Sequence, residues 1–443
     1  MRCLQTIALS LLIGLSVAAQ PAGDTVPPPA NNLSIDLQFM GRGESRYGGM
    51  PAEASSDAEE EITEVGKSNF LLSRTRLAIN FKRDWLEARV TPQHSGVWGQ
   101  EGKGSFNLYE SWVKLAARNG LFAQVGRVAL NYDDERIIGS DNWAMASLSH
   151  DVIRTGYEGH GHKVHAILAY NQNAAVMTAA FSQYTNGSQP YKTMHTLWYH
   201  YDFPKLPLGA SALFMNIGMQ ADPDVGTGTL FQQLAGAYVK FTPKRWLAEV
   251  SYYHQFGHNE YNIKIDAWMV STKVSFRPAN YGITVGYDHL SGDKNFAVPP
   301  KGGLGYMRHE VIRGFSTVYG AHHKFYGAMD FFYVSTYMGG FTPGLQNNYI
   351  DLSYSPLKGL DLSASCHYLA TATKLEDLDR TLGYEFELQG SYAISRDVKV
   401  SLGASLMKGS NTMEQLKRSS NNNSLRWGWV SLIVNPRILS IKW

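Results

Sequence analysis

The sequence predicts an all-β protein, a transmembrane antiparallel up-and-down β-barrel of about 18 strands. Three observations carry this prediction: apolar residues at every second position, a secretory signal, and connections of two alternating lengths. The alternation is unbroken from Arg74 to Phe81 and recurs from Val398 to Met407. Because a soluble β-sandwich has the same period, the alternation alone does not identify the surrounding solvent, and the other two observations are needed.

The N-terminus predicts a secretory signal peptide over residues 1–19. Arg2 precedes an apolar stretch from Ile7 to Val17, and small residues follow before Gln20. Cys3 should leave with the signal, so the mature chain keeps only Cys366 and has no internal disulfide. No later segment offers the roughly 18 consecutive apolar residues of a membrane helix, so a membrane-spanning form must be a closed barrel.

Composition favours the outer membrane of a Gram-negative bacterium. Aromatic residues make up 12% of the chain, whereas charged residues make up 18%, below the roughly 25% of ordinary soluble proteins. The net charge of +2 is too small to indicate a nucleic-acid partner.

The organisation along the chain predicts the number of strands. After a Pro-rich periplasmic leader at residues 20–32, the barrel covers residues 33–434 and a periplasmic tail covers residues 435–443. Eight short turns alternate with nine long polar stretches, as periplasmic turns alternate with extracellular loops, so about eighteen strands are expected. The segment from Ala174 to Tyr184 also fits a strand. We place it in a loop because a single-chain bacterial barrel has an even number of strands.

The inward residues of the early strands are predicted to be basic. Alternation places Arg74, Arg76, Arg89 and Arg154 inside, but the register around Arg127 is ambiguous. Because an Arg facing mid-bilayer lipid costs about 2 to 4 kcal/mol and a Gln costs less, we place Arg127 inside and Gln124 outside. The inward set of later strands is acidic and contains Asp288, Asp351, Asp361, Glu385 and Glu387. We expect a transverse field across the pore; the alternative is that these charges are simply solvated.

An aromatic stretch from Tyr306 to Tyr337 lies in the longest predicted loop. Folded inward, it narrows the pore and offers stacking faces to sugar rings; folded outward, it forms an adhesive patch. A further hairpin is the third interpretation.

Three patches of the sequence resemble the alginate-export family of outer-membrane barrels, in the versions found in Bacteroidetes-type bacteria. The most specific patch runs from Gly126 to Gly139, with Trp143 and Ser149-His150-Asp151 after it; the others run from Ser73 to Leu77 and from His323 to Asp330. The resemblance implies an eighteen-stranded monomeric barrel with an Arg-lined constriction that passes an anionic polysaccharide or its fragments outward. The positions that match its basic motifs are Arg74, Arg76, Arg127 and Arg136. An Arg pairs with any carboxylate or phosphate, so no feature specifies a uronate.

Enzymatic and metal sites are not predicted. His150 with Asp151, and His200 with Asp202, have no nearby Ser that completes a recognisable triad. A turn carries His160, His162 and His165 without a carboxylate to complete a coordination shell. The run from Asp133 to Glu135 lacks the spacing of an EF-hand. We expect no enzymatic activity, no metal and no cofactor.

The sequence therefore predicts a porin-like channel for diffusion or export of small or polymeric anionic solutes such as acidic oligosaccharides. Its alternative is a surface adhesin or receptor built on a loop-plugged barrel. Expected partners are outer-membrane lipid and an anionic solute or oligosaccharide, not nucleic acid; a monomer is expected, and a partner lipoprotein is left open. The candidate pore-lining residues are Arg74, Arg76, Arg89, Arg127, Arg136, Arg154, Asp351, Glu385 and Glu387.

Overall fold

The computed structural model describes residues 31–48, 67–100, 104–173, 184–293, 311–331, 342–375, 377–417 and 424–443. The predicted signal peptide and most of the predicted leader lie outside these ranges, as do residues 174–183 and parts of the longest loop. The strands, in chain order, are β1 (Asn31–Tyr47), β2 (Lys67–Arg83), β3 (Leu86–Val97), β4 (Ser105–Ala116), β5 (Leu121–Val128), β6 (His150–Gly159), β7 (His162–Tyr170), β8 (Thr193–Asp202), β9 (Leu208–Gln220), β10 (Thr229–Phe241), β11 (Trp246–His258), β12 (Lys264–Phe276), β13 (Tyr281–Leu290), β14 (Val311–Ile312), β15 (Leu345–Leu357), β16 (Leu360–Ala370), β17 (Thr381–Ala393), β18 (Val398–Gly409), β19 (Ser424–Val434) and β20 (Arg437–Lys442).

Eighteen of these strands, β1 to β13 and β15 to β19, form one closed antiparallel barrel. Consecutive strands pair with their neighbours, and β1 closes the barrel by pairing with both β2 and β19. The short β14 lies parallel to the start of β12, and β20 pairs with the first residues of β1. The predicted barrel and its strand number are confirmed. β7 pairs directly with β8, and the segment between them that also fits a strand lies almost entirely outside the described ranges.

Short and long connections alternate as predicted. Turns such as residues 84–85, 160–161 and 358–359 join strands at one end of the barrel, and connections such as 129–149 and 291–344 join them at the other. The longer connections between the barrel strands are nine, the predicted number. The segment predicted as a tail contains β20, and β1 begins at Asn31, two residues before the predicted start of the barrel.

The outer face of the barrel is apolar. Its outward side chains include Val285 and Leu388, which are 56% and 64% exposed. A band of this kind requires hydrocarbon around it, so the predicted location in an outer membrane is confirmed on physical grounds. Among the described residues, no helix has the length and apolar character needed to cross a membrane.

Two segments fold into the barrel and fill much of its interior. We call residues 129–149, between β5 and β6, loop A, and residues 311–331, the central part of the connection between β13 and β15, loop B. Both pack against inward apolar side chains of β7 to β13, which we call the apolar half of the lumen: Ile167, Met194, Leu213, Met215, Ile217, Leu234, Ala267 and Met269.

The inner face of β1 to β4 is different, and we call it the polar half of the lumen. Its buried inward residues are mainly polar or charged: Ser34, Arg42, Glu44, Arg74, Arg76, Thr91, Gln93, Ser95 and Glu110. The lumen is thus divided between a packed hydrophobic core on one side and a polar wall on the other.

Candidate channel constriction

Loops A and B are joined to each other inside the lumen. Ile138 and Tyr319 form a parallel bridge, in which the Gly139 amide donates to the Tyr319 carbonyl at 2.9 Å and the Tyr319 amide donates to the Ile137 carbonyl at 3.1 Å. Ile138 is 1% exposed, so this junction belongs to the core of the apolar half. The two loops therefore form a single constriction element.

Arg136 fastens this element to the barrel wall. Its guanidinium pairs with Asp134 and with Asp288 of β13, each at 3.2 Å, and donates to the Tyr326 hydroxyl at 2.9 Å. Its Cζ lies 3.9 Å from the centre of the Phe325 ring. Burial disfavours the charged form, but Asp288, Tyr326 and Asp134 outweigh it and hold the pKa of Arg136 well above its ordinary value. This predicted pore-lining residue is 3% exposed and serves as an anchor.

A row of arginines on β1 and β2 binds the second part of loop A. Arg74 donates to the carbonyls of Asn142 and Ala144 at 3.1 and 2.9 Å and to Ser147 Oγ at 2.9 Å. Arg42 donates to the Trp143 carbonyl at 3.1 Å. This part of the loop is a closed turn, since the Leu148 amide donates to the Ser140 carbonyl at 2.7 Å; we call it the 140–148 turn.

Arg74 and Arg76 are buried cations with uncharged partners. They are 2% and 6% exposed, and the partners of Arg76 are Gln93 Oε1 at 2.6 Å and Asn142 Oδ1 at 2.7 Å. Its guanidinium also lies 3.6 Å from the centre of the Tyr109 ring. Within the described ranges neither arginine forms an ion pair, and Arg74 Nε and Arg76 Nη2 have no hydrogen-bond partner. A buried charge without a counter-charge is unfavourable by several kcal/mol, so this pair is a strong potential anion site.

Arg76 also lines a cavity of about 770 Å³ on the side of the barrel that carries the short turns. Arg89 lines the same cavity and pairs with Glu110 at 2.8 Å. Loop A contributes Ser140 and Asn142 to its inner end. Further lining comes from the rim of the barrel: Asp36, Arg396, Asp397, Asn435 and Arg437. The cavity is a vestibule whose inner end is the arginine pair and the 140–148 turn.

The predicted acidic wall binds loop B through its backbone. On β17, Glu385 accepts from the Met329 amide at 2.8 Å and Glu387 accepts from the Ala328 amide at 2.5 Å. Glu385 is fully buried and Glu387 is 8% exposed. Asp351 faces the same side from β15, two strands away, and is half-buried. Glu385 and Glu387 thus hold a loop, just as the arginines of β1 and β2 do.

The inward placement predicted for Arg127 is wrong. On β5, Phe122, Gln124 and Val128 are buried inside, whereas Val125 is 54% exposed, so Arg127 faces outward and Gln124 inward. The prediction compared the two residues at mid-bilayer depth. Arg127 instead lies one residue before the end of its strand and pairs with Asp151 at 2.7 Å, and the cost of an arginine falls to about 0 to 1 kcal/mol near the interface.

The structure thus brings together three of the predicted arginines, Arg74, Arg76 and Arg89, along the polar half. Arg154 points inward elsewhere, where it donates to the Tyr132 hydroxyl of loop A at 3.4 Å. Sequence reasoning missed Arg42, which belongs to the same basic row. The alternation of Leu33, Ile35, Leu37 and Phe39 along β1 is the signal that places Arg42 inside.

The expectation that His200 and Asp202 have no nearby Ser is wrong, because Ser211 forms a hydrogen-bonded chain with them. Ser211 Oγ lies 2.8 Å from His200 Nδ1, and His200 Nε2 lies 2.9 Å from Asp202 Oδ1. Ser211 is 5% exposed. Trp198, whose ring is stacked on His200, donates from Nε1 to Asp133 Oδ1 at 3.1 Å and ties loop A to the wall beside this chain. In the described part of the chain, no group of three His, Cys, Asp or Glu side chains has the geometry of a metal site.

Solved structures with the same architecture are outer-membrane porins of Pseudomonas aeruginosa. OccK2 (OpdF), solved in complex with glucuronate, and OccK9 (OpdG) each have a TM-score of 0.61 and 12% identity, covering 92% of this chain and 98% of theirs. OccK11 (OpdR) has a TM-score of 0.59 and 9% identity, with coverage of 92% and 96%. At these identities the likeness shows a common porin fold. No protein-family model matches the sequence, and no curated protein matches it; the alginate-export resemblance stays a prediction.

Proposed function

We propose that this protein is a passive channel for small anionic solutes, whose path follows the polar half of the lumen. The observation that carries this proposal is the pair Arg74 and Arg76, two neighbouring buried cations without a carboxylate partner. Burying them is unfavourable unless an anion compensates them. The porin fold supports the same class of function, since the apolar half is packed and the vestibule beside Arg76 is open.

The mechanism is electrostatic attraction combined with size exclusion, and it needs no cofactor. An anion that enters the vestibule passes Arg396 and Arg437 at its rim and then meets Arg89, although Glu110 partly neutralises Arg89. It then meets the Arg76 guanidinium, whose planar fork can donate two parallel hydrogen bonds to one carboxylate. Arg136, Arg127 and Arg154 have no part in this path, because the first is an anchor, the second faces outward and the third contacts Tyr132 in the first part of loop A.

Uronic acids and acidic oligosaccharides are the solutes we propose. One structural neighbour, OccK2 (OpdF), was solved with glucuronate, which is a uronic acid. The resemblance to the alginate-export family suggests the same chemistry at polymer length and in the outward direction. A vestibule of about 770 Å³ accommodates a monosaccharide or a short oligomer, so we favour small solutes over polymers.

The test is the ion selectivity of purified protein in planar bilayers, compared with an Arg74→Gln/Arg76→Gln variant. One charge at 4 Å in water contributes about 1 kcal/mol, or roughly fivefold, so we expect the double variant to lower the anion-to-cation permeability ratio at least about fivefold. Arg127→Gln removes the same kind of charge from the outer face and serves as the control. An unchanged ratio in the double variant would contradict the proposal.

A loop-plugged adhesin or receptor is the second candidate, and the packing of loops A and B inside the lumen favours it. Liposome swelling separates the two functions. A channel of the proposed kind admits glucuronate faster than glucose, which is neutral and of similar size, whereas a plugged barrel admits neither.

A further inference from the structure

Asn142 occupies a position between the two uncompensated arginines. Its Oδ1 accepts from Arg74 Nη2 at 3.1 Å and from Arg76 Nη1 at 2.7 Å. Gln38 Oε1 accepts from the same two nitrogens at 3.1 and 3.4 Å. One amide oxygen therefore bridges two guanidinium groups, which is the contact that a carboxylate oxygen of a solute would make.

We propose that Asn142 is an internal ligand, a neutral substitute for the solute carboxylate, which leaves when an anion binds and so sets the affinity of the channel. This inference rests on the proposed function, since it needs an anionic solute at Arg74 and Arg76. The 140–148 turn carries Asn142, so binding of the anion displaces this turn and opens the inner end of the vestibule.

The exchange is favourable because of the charges involved. Apart from the packing of Trp143 against His323 and Trp429, the turn is held by Arg42, Arg74, Arg76 and Gln93. Each of these polar contacts ends on a neutral oxygen: the carbonyls of residues 142, 143, 144 and 146, Asn142 Oδ1 and Ser147 Oγ. A hydrogen bond between a guanidinium and a carboxylate is roughly twice as strong as one to a neutral acceptor. A solute carboxylate therefore competes well for the same nitrogens.

The rest of loop A stays in place during this exchange. Its first part is fixed by Arg136 and by the bridge between Ile138 and Tyr319. The turn itself is closed at its neck by the bond from the Leu148 amide to the Ser140 carbonyl. A compact turn with such a neck moves as a unit, as surface loops with adjacent ends do. Displacement is thus confined to the 140–148 turn, and it breaks the stacking of Trp143 on His323 of loop B.

Two substitutions at this position have opposite expected effects. Asn142→Ala removes the competing oxygen and should increase the affinity for glucuronate, measured by block of the chloride current, by about fivefold or more. Asn142→Asp places a permanent carboxylate between the two arginines and should lower the affinity and the anion preference about as far as Arg74→Gln/Arg76→Gln does. Asn435→Asp adds the same charge elsewhere in the same vestibule and is the matched control, with a smaller expected decrease.

The outcomes separate this inference from the proposed function. Equal effects of Asn142→Ala and Asn142→Asp, or a decrease from Asn435→Asp as large as that from Asn142→Asp, would overturn the role of Asn142 while the double arginine variant still supports the channel. If the double variant keeps the anion preference, the proposed function itself is wrong. Heat-modifiable migration on gels verifies that each variant forms the barrel, and a variant is compared only when it passes.

Discussion

The apolar and polar halves of the lumen hold the same loop in different ways. In the apolar half, loop A is part of a hydrophobic core: Leu130 and Ile138 are each 1% exposed against side chains of the wall. In the polar half, the 140–148 turn is held by hydrogen bonds from arginines and Gln93 to its neutral oxygens, and by the packing of Trp143 against His323 and Trp429. A hydrogen bond from a charged group contributes about 1.5 to 3 kcal/mol, as much as burying a large apolar side chain, but a carboxylate can replace a neutral acceptor and cannot replace an apolar contact. One half therefore fixes the constriction, and the other leaves it exchangeable.

The largest expected effect comes from breaking the anchor in the apolar half. Arg136→Met leaves Asp288 buried without its cation, and removal of one partner of a buried pair typically costs about 3 to 5 kcal/mol. We expect loops A and B to undock while the barrel persists, with a larger and noisier single-channel current and faster proteolysis of the loops.

Lys324→Met is the matched control for that experiment. Lys324 pairs with Glu135 at 2.7 Å between the same two loops, but its side chain is 51% exposed. An exposed pair contributes about 0 to 1 kcal/mol, so loop proteolysis should stay near the wild-type rate. Equal effects of the two substitutions would mean that the apolar half does not anchor the loops.

A smaller effect is expected where loop B meets the acidic wall. Gly327 has a φ of +94°, and a Cβ there would overlap the Glu385 carboxylate. Gly327→Ala should therefore weaken the docking of loop B by about 1 to 3 kcal/mol, observed as increased current noise. Gly228→Ala, in open space on another loop, should leave the noise unchanged. If Gly327→Ala also leaves the current noise unchanged, the hydrogen bonds from the Ala328 and Met329 amides to β17 are not needed to dock loop B.

The smallest effect is expected at Arg127, which lies outside the lumen. Arg127 pairs with Asp151 on the outer face. Arg127→Gln should leave the anion-to-cation permeability ratio unchanged and alter stability by about 1 kcal/mol or less, since the pair is partly exposed. If Arg127→Gln changes the permeability ratio as much as Arg74→Gln/Arg76→Gln does, the outward placement of Arg127 is wrong.

The barrel was predictable from the sequence because its determinants are local. A period of two and the length of each connection are properties of short segments, and they identified strands such as β2, β13 and β18. The inward placement of Arg74 and Arg76 followed from the same local pattern. The register of β5 was mispredicted because Arg127 lies at the end of its strand, where depth in the membrane, not residue type, decides the cost.

The constriction was not predictable in the same way because it depends on contacts between distant segments. Apolar side chains inside a pore are unexpected, and those of β7 to β12 are explained only when loops A and B pack against them. Asn142 carries no motif, and its role emerges only when loop A is folded against β2, 66 residues away in sequence. For the same reason Arg136 was predicted as a pore residue, although Asp288 and Tyr326 bury it.

The Trp143 ring lies between two side chains from different segments, Arg42 of β1 and His323 of loop B. The Arg42 guanidinium is 3.9 Å from its ring centre, and the His323 imidazole is stacked on the ring with a centroid distance of 4.2 Å. The emission of an indole depends on the groups that touch its faces, and displacement of the turn separates it from both. The difference in fluorescence between the wild type and Trp143→Phe, in a chain with ten tryptophans, therefore reports in real time whether the passage is occupied, without any attached dye.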